Sequence, residues 1–476
     1  MPFRFPSLFL FPAVLSLAPL SRCAKGQSPP EVPSATEQLA QAAAPGRLPW
    51  LRELLDSSQV LRRSFAGLSL ADADSGRAVF DYHAGQYFVP ASTMKLFSLY
   101  AGLQLLGDSL PSLRYFSRGD TLFFQGTGDP TLLHGDVPSR RAYDFLAGRP
   151  EKVLVYNELP AGNAYGPSWS WDDYNYYFQA ERGAFPIYGH TVRFYHYPAT
   201  RRGRTVVPER LRVLPRAFAP LTAPASANLI AAEADADVHV RREQHDNRFF
   251  VLDRRKRWVD EVPFRTSRGL LLRLLGDTLR RRVVAGPWRP HPSRGDSIRT
   301  LPGLPVDSLY RRMLRVSDNF LAEQLLLMCS TRVGFRDSLS AGRVIRLMQK
   351  EQLAFLPDRL EWADGSGLSR LNLATPRDFT ALLLRLHQQV PERRLLSLFA
   401  AGGGQGTLRK RYHDAAGPWA WAKTGTLTHD LNLSGYIRTK SGRLLAFSFM
   451  TNNHPGNAYF VRNEVERVLR EVREQL

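Results

Sequence analysis

The spacing of apolar positions changes several times along the chain, and each change marks an element. Ala66-Gly67-Leu68-Ser69-Leu70-Ala71-Asp72 alternates, meets the turn signal Asp74-Ser75-Gly76, and resumes at Ala78–Tyr82. That pattern predicts a β-hairpin. Pro90 then opens a helix in which Leu96, Leu99, Tyr100, Leu103 and Leu106 keep helical spacing and Gly107 supplies a stop. Phe97, Ala101 and Leu105 make this helix apolar on most sides, which predicts a central, buried position. Leu304–Cys329 reads as helix, short loop and helix, and Thr375–His387 as a further helix. Asn432–Arg438 and Arg443–Thr451 read as paired strands joined by Thr439-Lys440-Ser441-Gly442. Val461, Val465, Val468, Leu469 and Val472 mark a final amphipathic helix. Between Leu110 and Pro290 the texture differs: it is rich in Pro, Gly, Arg and aromatics, with short alternating runs at Lys152–Tyr156 and Val192–Tyr195. No period repeats along the chain.

These elements predict an α/β fold, an antiparallel sheet flanked by helices. It is built from residues 50–109 and 291–476, with a β-rich insert at 110–290. Residues 25–49, rich in Ala, Pro, Gln and Ser, read as a flexible leader. Residues 1–24 read as a secretion signal: Arg4 precedes an apolar run from Phe5 to Leu20, broken by Pro6, Pro12 and Pro19. That run is too short and too interrupted for a good membrane span. Leu20-Ser21-Arg22-Cys23 faintly resembles a lipoprotein box, but Arg22 fits poorly, so plain cleavage near Cys23 is favoured over lipid anchoring. The expected location is therefore the periplasm or another extracytoplasmic space.

Charge changes this picture little. The formal net charge is +20, and it is nearly all arginine: 56 Arg against eight Lys. The short clusters Arg201-Arg202-Gly203-Arg204, Arg254-Arg255-Lys256-Arg257 and Arg280-Arg281-Arg282 read as solvated surface. No nucleic-acid signature accompanies them, so no specific nucleic-acid partner is expected. Peripheral contact with the cell envelope or a membrane surface stays open. Cys329, within Leu325-Leu326-Leu327-Met328-Cys329, reads as a core thiol. His239 and His245 have no common metal-site spacing, so no metal is expected.

Two of the eight lysines fall in short motifs that carry chemistry. Ser92-Thr93-Met94-Lys95 puts a hydroxyl and an amine three residues apart at a helix start, hence on one face. A serine hydroxyl needs a neighbouring base to become a nucleophile, and Lys95 can be that base if burial or a second cation keeps it neutral. Ser317-Asp318-Asn319, on the loop between two helices, can point Ser317 and Asn319 into one cleft; read alone it is an ordinary helix cap. Lys423-Thr424-Gly425, followed by Thr426, suits an edge strand. There Lys423 and Thr424 hold a carboxylate, Gly425 permits close backbone approach and the Thr426 N–H faces an oxyanion.

Each motif is weak alone. Together and in this order they resemble the signature of penicillin-binding proteins and β-lactamases. With Val89-Pro90-Ala91 before Ser92, Gly126-Thr127-Gly128-Asp129-Pro130-Thr131-Leu132, Trp169-Ser170-Trp171-Asp172-Asp173, Asp364-Gly365-Ser366-Gly367-Leu368-Ser369-Arg370 and Gly406-Thr407-Leu408, nearly all of the chain after its leader resembles one group. That group is the low-molecular-mass class C penicillin-binding proteins with a large insert, serine D-Ala-D-Ala carboxypeptidases and endopeptidases. The resemblance implies Ser92 as the acylated nucleophile and Lys95 as its base. Ser317, Asn319, Lys423, Thr424, Gly425 and Thr426 complete the site. It implies peptidoglycan stem peptides as substrates, β-lactams as inhibitors and no cofactor. Tyr174–Ala180 matches the group loosely, and Leu371-Asn372-Leu373 replaces a more basic run, which leaves substrate preference open. Asp364 and Ser366 read as a turn in preference to catalytic neighbours. A β-lactamase or esterase on the same scaffold is the alternative enzyme, and a non-catalytic envelope-binding protein the alternative outside enzymes.

Overall fold

The computed structural model describes residues 48–476 apart from 138, 203–204, 234–237, 287–296 and 334–337. The signal and leader expectations, with Cys23, lie outside the described residues. No helix among those described is long and apolar enough to cross a membrane.

A six-stranded antiparallel sheet organises the site. Its order is Ala400–Ala401, Ala420–Leu427, Asp430–Arg438, Leu444–Asn452, Phe65–Asp72 and Ala78–Tyr82. The hairpin at 66–82 and the strand pair after Leu431 stand where alternation and turn signals place them. Leu444–Asn452 is buried at all nine positions and Asp430–Arg438 at eight of nine. Such runs occur when both faces of a sheet are covered. Helices Pro49–Asp56 and Ala458–Gln475 cover one face through Leu51, Leu55, Val461, Val465 and Val468. Helices Lys95–Leu105, Asn319–Ser330 and Pro376–Gln389 build the core on the other. The final helix is capped by Asn457. Thr375 and Asp378 form a reciprocal capping box, so Pro376–Gln389 begins where Thr375 predicts.

The helix expected from Pro90 to Gly107 differs at its start. Ala91–Met94 is a 3₁₀ turn, and the α-helix runs Lys95–Leu105. Ala91 takes a left-handed φ of +50°, which interrupts the helix. Gly367 packs against it so closely that a Cβ there would lie 1.8 Å from the Ala91 carbonyl oxygen. Within the α-helix every residue from Lys95 to Gly102 is buried, matching its all-round apolar pattern.

The region 110–290 contributes a mixed five-stranded sheet ordered Val283–Ala285, Val153–Tyr156, Thr121–Gly126, Ser109–Arg118 and Arg299–Pro305. Two three-stranded sheets and helix Arg268–Leu279 accompany it. Phe124, Phe194, Phe218, Phe249, Leu274 and Leu275 share an apolar core of their own. Arg299–Pro305, beyond the expected insert, pairs antiparallel with Ser109–Arg118 and joins the two regions.

Candidate active site

Ser92 sits in the 3₁₀ turn, where side chains three residues apart eclipse one another. Lys95 Nζ is consequently 2.9 Å from Ser92 Oγ. The ammonium also donates to Asn319 Oδ1 at 2.6 Å and to the Ser366 carbonyl at 2.7 Å, so its donors are satisfied although the residue is fully buried. Burial lowers its pKa to about 8, against the raising pull of Asp364, Asp318 and Glu323. Lys95 can therefore shed its proton near neutral pH, as a general base must.

The loop between helices Val306–Arg315 and Asn319–Ser330 carries both readings of Ser317-Asp318-Asn319 at once. Asp318 caps the second helix, accepting from Leu321 N at 3.0 Å. Ser317, at φ +65°, turns its hydroxyl to Lys423 Nζ, 2.8 Å away. Lys423 also donates to the Thr424 carbonyl at 2.6 Å. Burial first, and then the charge of Lys95, hold Lys423 well below an ordinary ammonium. Ser92, Lys95, Ser317, Asn319 and Lys423 thus meet as two lysine-centred clusters.

Strand Ala420–Leu427 alternates, so Lys423 and Gly425 pack toward the serine turn while Thr424 and Thr426 line the adjoining cavity. A Cβ on Gly425 would lie 2.5 Å from the Pro90 carbonyl oxygen and 3.1 Å from Thr93 N. Gly425→Ala is therefore expected to push this strand off the Ser92 turn. Penicillin acylation should slow by about 10²-fold, since a shift near 1 Å costs that much. Stopped-flow acylation alongside circular dichroism separates this from misfolding; an unchanged rate would show that the close approach is dispensable.

Several supports join residues far apart in the chain. Asp364 accepts from Gly367 N, Ser369 N, Asn372 Nδ2 and Trp169 Nε1, all at 2.7–2.8 Å. It is the hub of a turn, as the sequence suggests, and that turn presents the Ser366 carbonyl to Lys95. Asn319 Nδ2 donates to the Phe178 carbonyl at 3.1 Å, so a residue from the 110–290 region orients Asn319. Behind Ser366, Glu323 accepts from its N–H at 2.7 Å and pairs with Arg182 at 3.1 Å, both side chains nearly buried. Glu323, set beside Gln324 among apolar helix residues, was the visible hint of that pair; Phe178 had none. Burial raises the Glu323 pKa. Arg182→Gln strands this carboxylate, and a loss of about 3 kcal/mol in urea unfolding is expected at pH 8, shrinking as acid neutralises Glu323. A loss independent of pH would mean packing, not charge, is what Arg182 supplies.

Residues 51–473 match the family described as D-Ala-D-Ala carboxypeptidase 3 (S13). The carboxypeptidase DacB of Mycolicibacterium smegmatis is 31% identical over 166 residues, spanning 33% of this chain and only 36% of that relative. The D-alanyl-D-alanine carboxypeptidase DacB of Haemophilus influenzae is 23% identical over 429 residues, 82% of this chain and 86% of that one. The fold is that of penicillin binding protein 4 (dacB) from Haemophilus influenzae, with a TM-score of 0.68 at 21% identity, covering 89% of this chain and 99% of that one. A match of such length places this chain in the D-Ala-D-Ala carboxypeptidase 3 (S13) family.

Proposed function

We propose that the protein is a serine-type D-alanyl-D-alanine peptidase of the cell wall, working through an acyl-enzyme on Ser92 and acylated by penicillin. The contact of Ser92 Oγ with the buried, neutralisable Lys95 carries this reading. In the forward step Ser92 Oγ attacks the carbonyl carbon of the penultimate D-alanine and gives its proton to neutral Lys95. The oxyanion rests between the Ser92 and Thr426 N–H groups. The C–N bond then breaks, and the leaving amine takes a proton relayed through Ser317 from the lysines. Water releases the acyl group by the same base. Asn319 orients the acyl chain, while Lys423 and Thr424 hold the carboxylate next to the scissile amide. That carboxylate favours the charged form of Lys423, whose charge in turn favours neutral Lys95.

We also infer that residues 50–109 and 291–476 form the peptidase part and 110–290 an insert that supports it. The separate apolar core of the insert and the Phe178 and Arg182 contacts favour that division. Substrates in the wall imply export, with the first 24 residues as the signal.

Intact-protein mass spectrometry after incubation with benzylpenicillin tests the reading. A stable adduct, with release of D-alanine from an acyl-D-Ala-D-Ala peptide, is the expected result. Hydrolysed penicillin with no adduct would instead make the protein a β-lactamase, and intact penicillin with no adduct would favour a binding protein.

A further inference from the structure

The 110–290 region holds a cavity of about 1050 Å³, and none of Ser92, Lys95, Ser317, Asn319 or Lys423 lines it. Strand Thr191–Tyr197, the turn after Leu214 and helix Arg268–Leu279 each supply part of its wall. Its size matches the largest pockets that enclose small organic ligands. The charge in that wall is fixed in place yet unspent. Arg193 Nη2 pairs with both Asp136 and Glu261, which pins the guanidinium, while Nε and Nη1 have no partner among the described residues. Arg216 and Asp277 line the same cavity, and neither side chain has a hydrogen-bond or ion-pair partner among the described residues. Tyr188 and Tyr195 add aromatic faces, and a 2.6 Å hydrogen bond to Thr278 Oγ1 holds the first.

An arginine only donates and an ionised carboxylate only accepts. A purely apolar ligand would strand both, and a polyanion would be repelled by Asp277. One anionic group together with several hydroxyls satisfies both, and the carbon face of a ring can lie on the tyrosines. We propose that this cavity binds a saccharide carrying a carboxylate or a phosphate. The anion sits on Arg193 and Arg216, and ring hydroxyls donate to Asp277. The site is separate from the Ser92 chemistry, and its occupancy is read without turnover.

Arg193 is unsuited to a test, because Asp136 joins it to Arg312 at 3.0 Å, and Arg312 lies 3.8 Å from Asp318 beside Ser317. Arg216 and Asp277 are exposed and outside that network. Isothermal titration calorimetry on the full chain compares cellobiose, cellobiouronic acid, cellobiose phosphate and inorganic phosphate. Both charged disaccharides are expected to bind about tenfold more tightly than cellobiose, the size of one charge-assisted hydrogen bond. Both should also exceed inorganic phosphate, which brings no ring, by about the same factor. Arg216→Gln should remove the advantage of charge and spare cellobiose. Asp277→Ala should weaken all three disaccharides alike, with urea unfolding checking that each variant keeps its fold. Tight binding of one charged disaccharide alone supports the site and identifies its anion. Equal affinity for cellobiose and its charged forms would overturn the proposal. So would inorganic phosphate binding as tightly as the sugar phosphate, or folded variants that bind as wild type does.

Discussion

Ser92→Ala is expected to lower the rate of penicillin acylation by on the order of 10⁴-fold or more, leaving no adduct detectable by intact mass. The size follows from the site's geometry. Ser92 Oγ is the only side-chain hydroxyl bonded to Lys95 among the described residues, and the Ser317 hydroxyl is committed to Lys423. Lys95 keeps Asn319 Oδ1 and the Ser366 carbonyl in the variant, so the base stays in place with nothing to activate. Removing one partly exposed oxygen should change stability by about 0.5 kcal/mol or less. Folding and acylation are therefore separable here. An adduct forming at the wild-type rate on the alanine variant would place the nucleophile elsewhere.

Lys95→Met should slow acylation by about 10²- to 10⁴-fold, the usual span for a lost general base. Its diagnostic is the pH profile. A base acts when neutral, so wild-type acylation should rise with pH through an apparent pKa near 8 and level off above it. The variant should lose that rise. Stability follows the same group with a definite sign. The folded pKa of about 8 lies below the ordinary 10.5, so the unfolded chain binds more protons between those values. The Lys95 contribution therefore becomes more favourable as pH rises from 8 toward 10.5, by up to about 3 kcal/mol. Below pH 8 the full cost of burying the ammonium is present. The methionine variant should flatten this part of the stability curve, measured by urea unfolding at each pH. An acylation profile flat between pH 6 and 10 in wild type would remove Lys95 as the base.

Much of this was legible from spacing. The apolar helix after Ser92, the strands around Ser434 and Ser448, the Thr375 cap and the final amphipathic helix are local patterns, and each element formed within a few residues of its expected place. Helix Arg268–Leu279 was not anticipated, although Ser267 caps it and Leu270, Leu274 and Leu275 keep its period. Its arginine-rich surroundings masked an apolar face that only the neighbouring sheet makes necessary. Ser317-Asp318-Asn319 shows the limit of reading a motif: cap and site contact looked like rivals, yet consecutive side chains divide the two tasks.

By itself the sequence determined the class of fold, the order of the three motifs and the residue types able to perform acyl transfer. These depend on periodicity and short separations, which survive in one dimension. Tertiary structure alone decided that Lys95 is fully buried between Ser92, Asn319 and Ser366, that Phe178 and Arg182 of the 110–290 region brace Asn319 and Glu323, and that Arg409, Lys410 and Arg462 line one cavity. Desolvation and charge convergence are properties of neighbours in space, and those neighbours lie up to 271 positions apart in the chain.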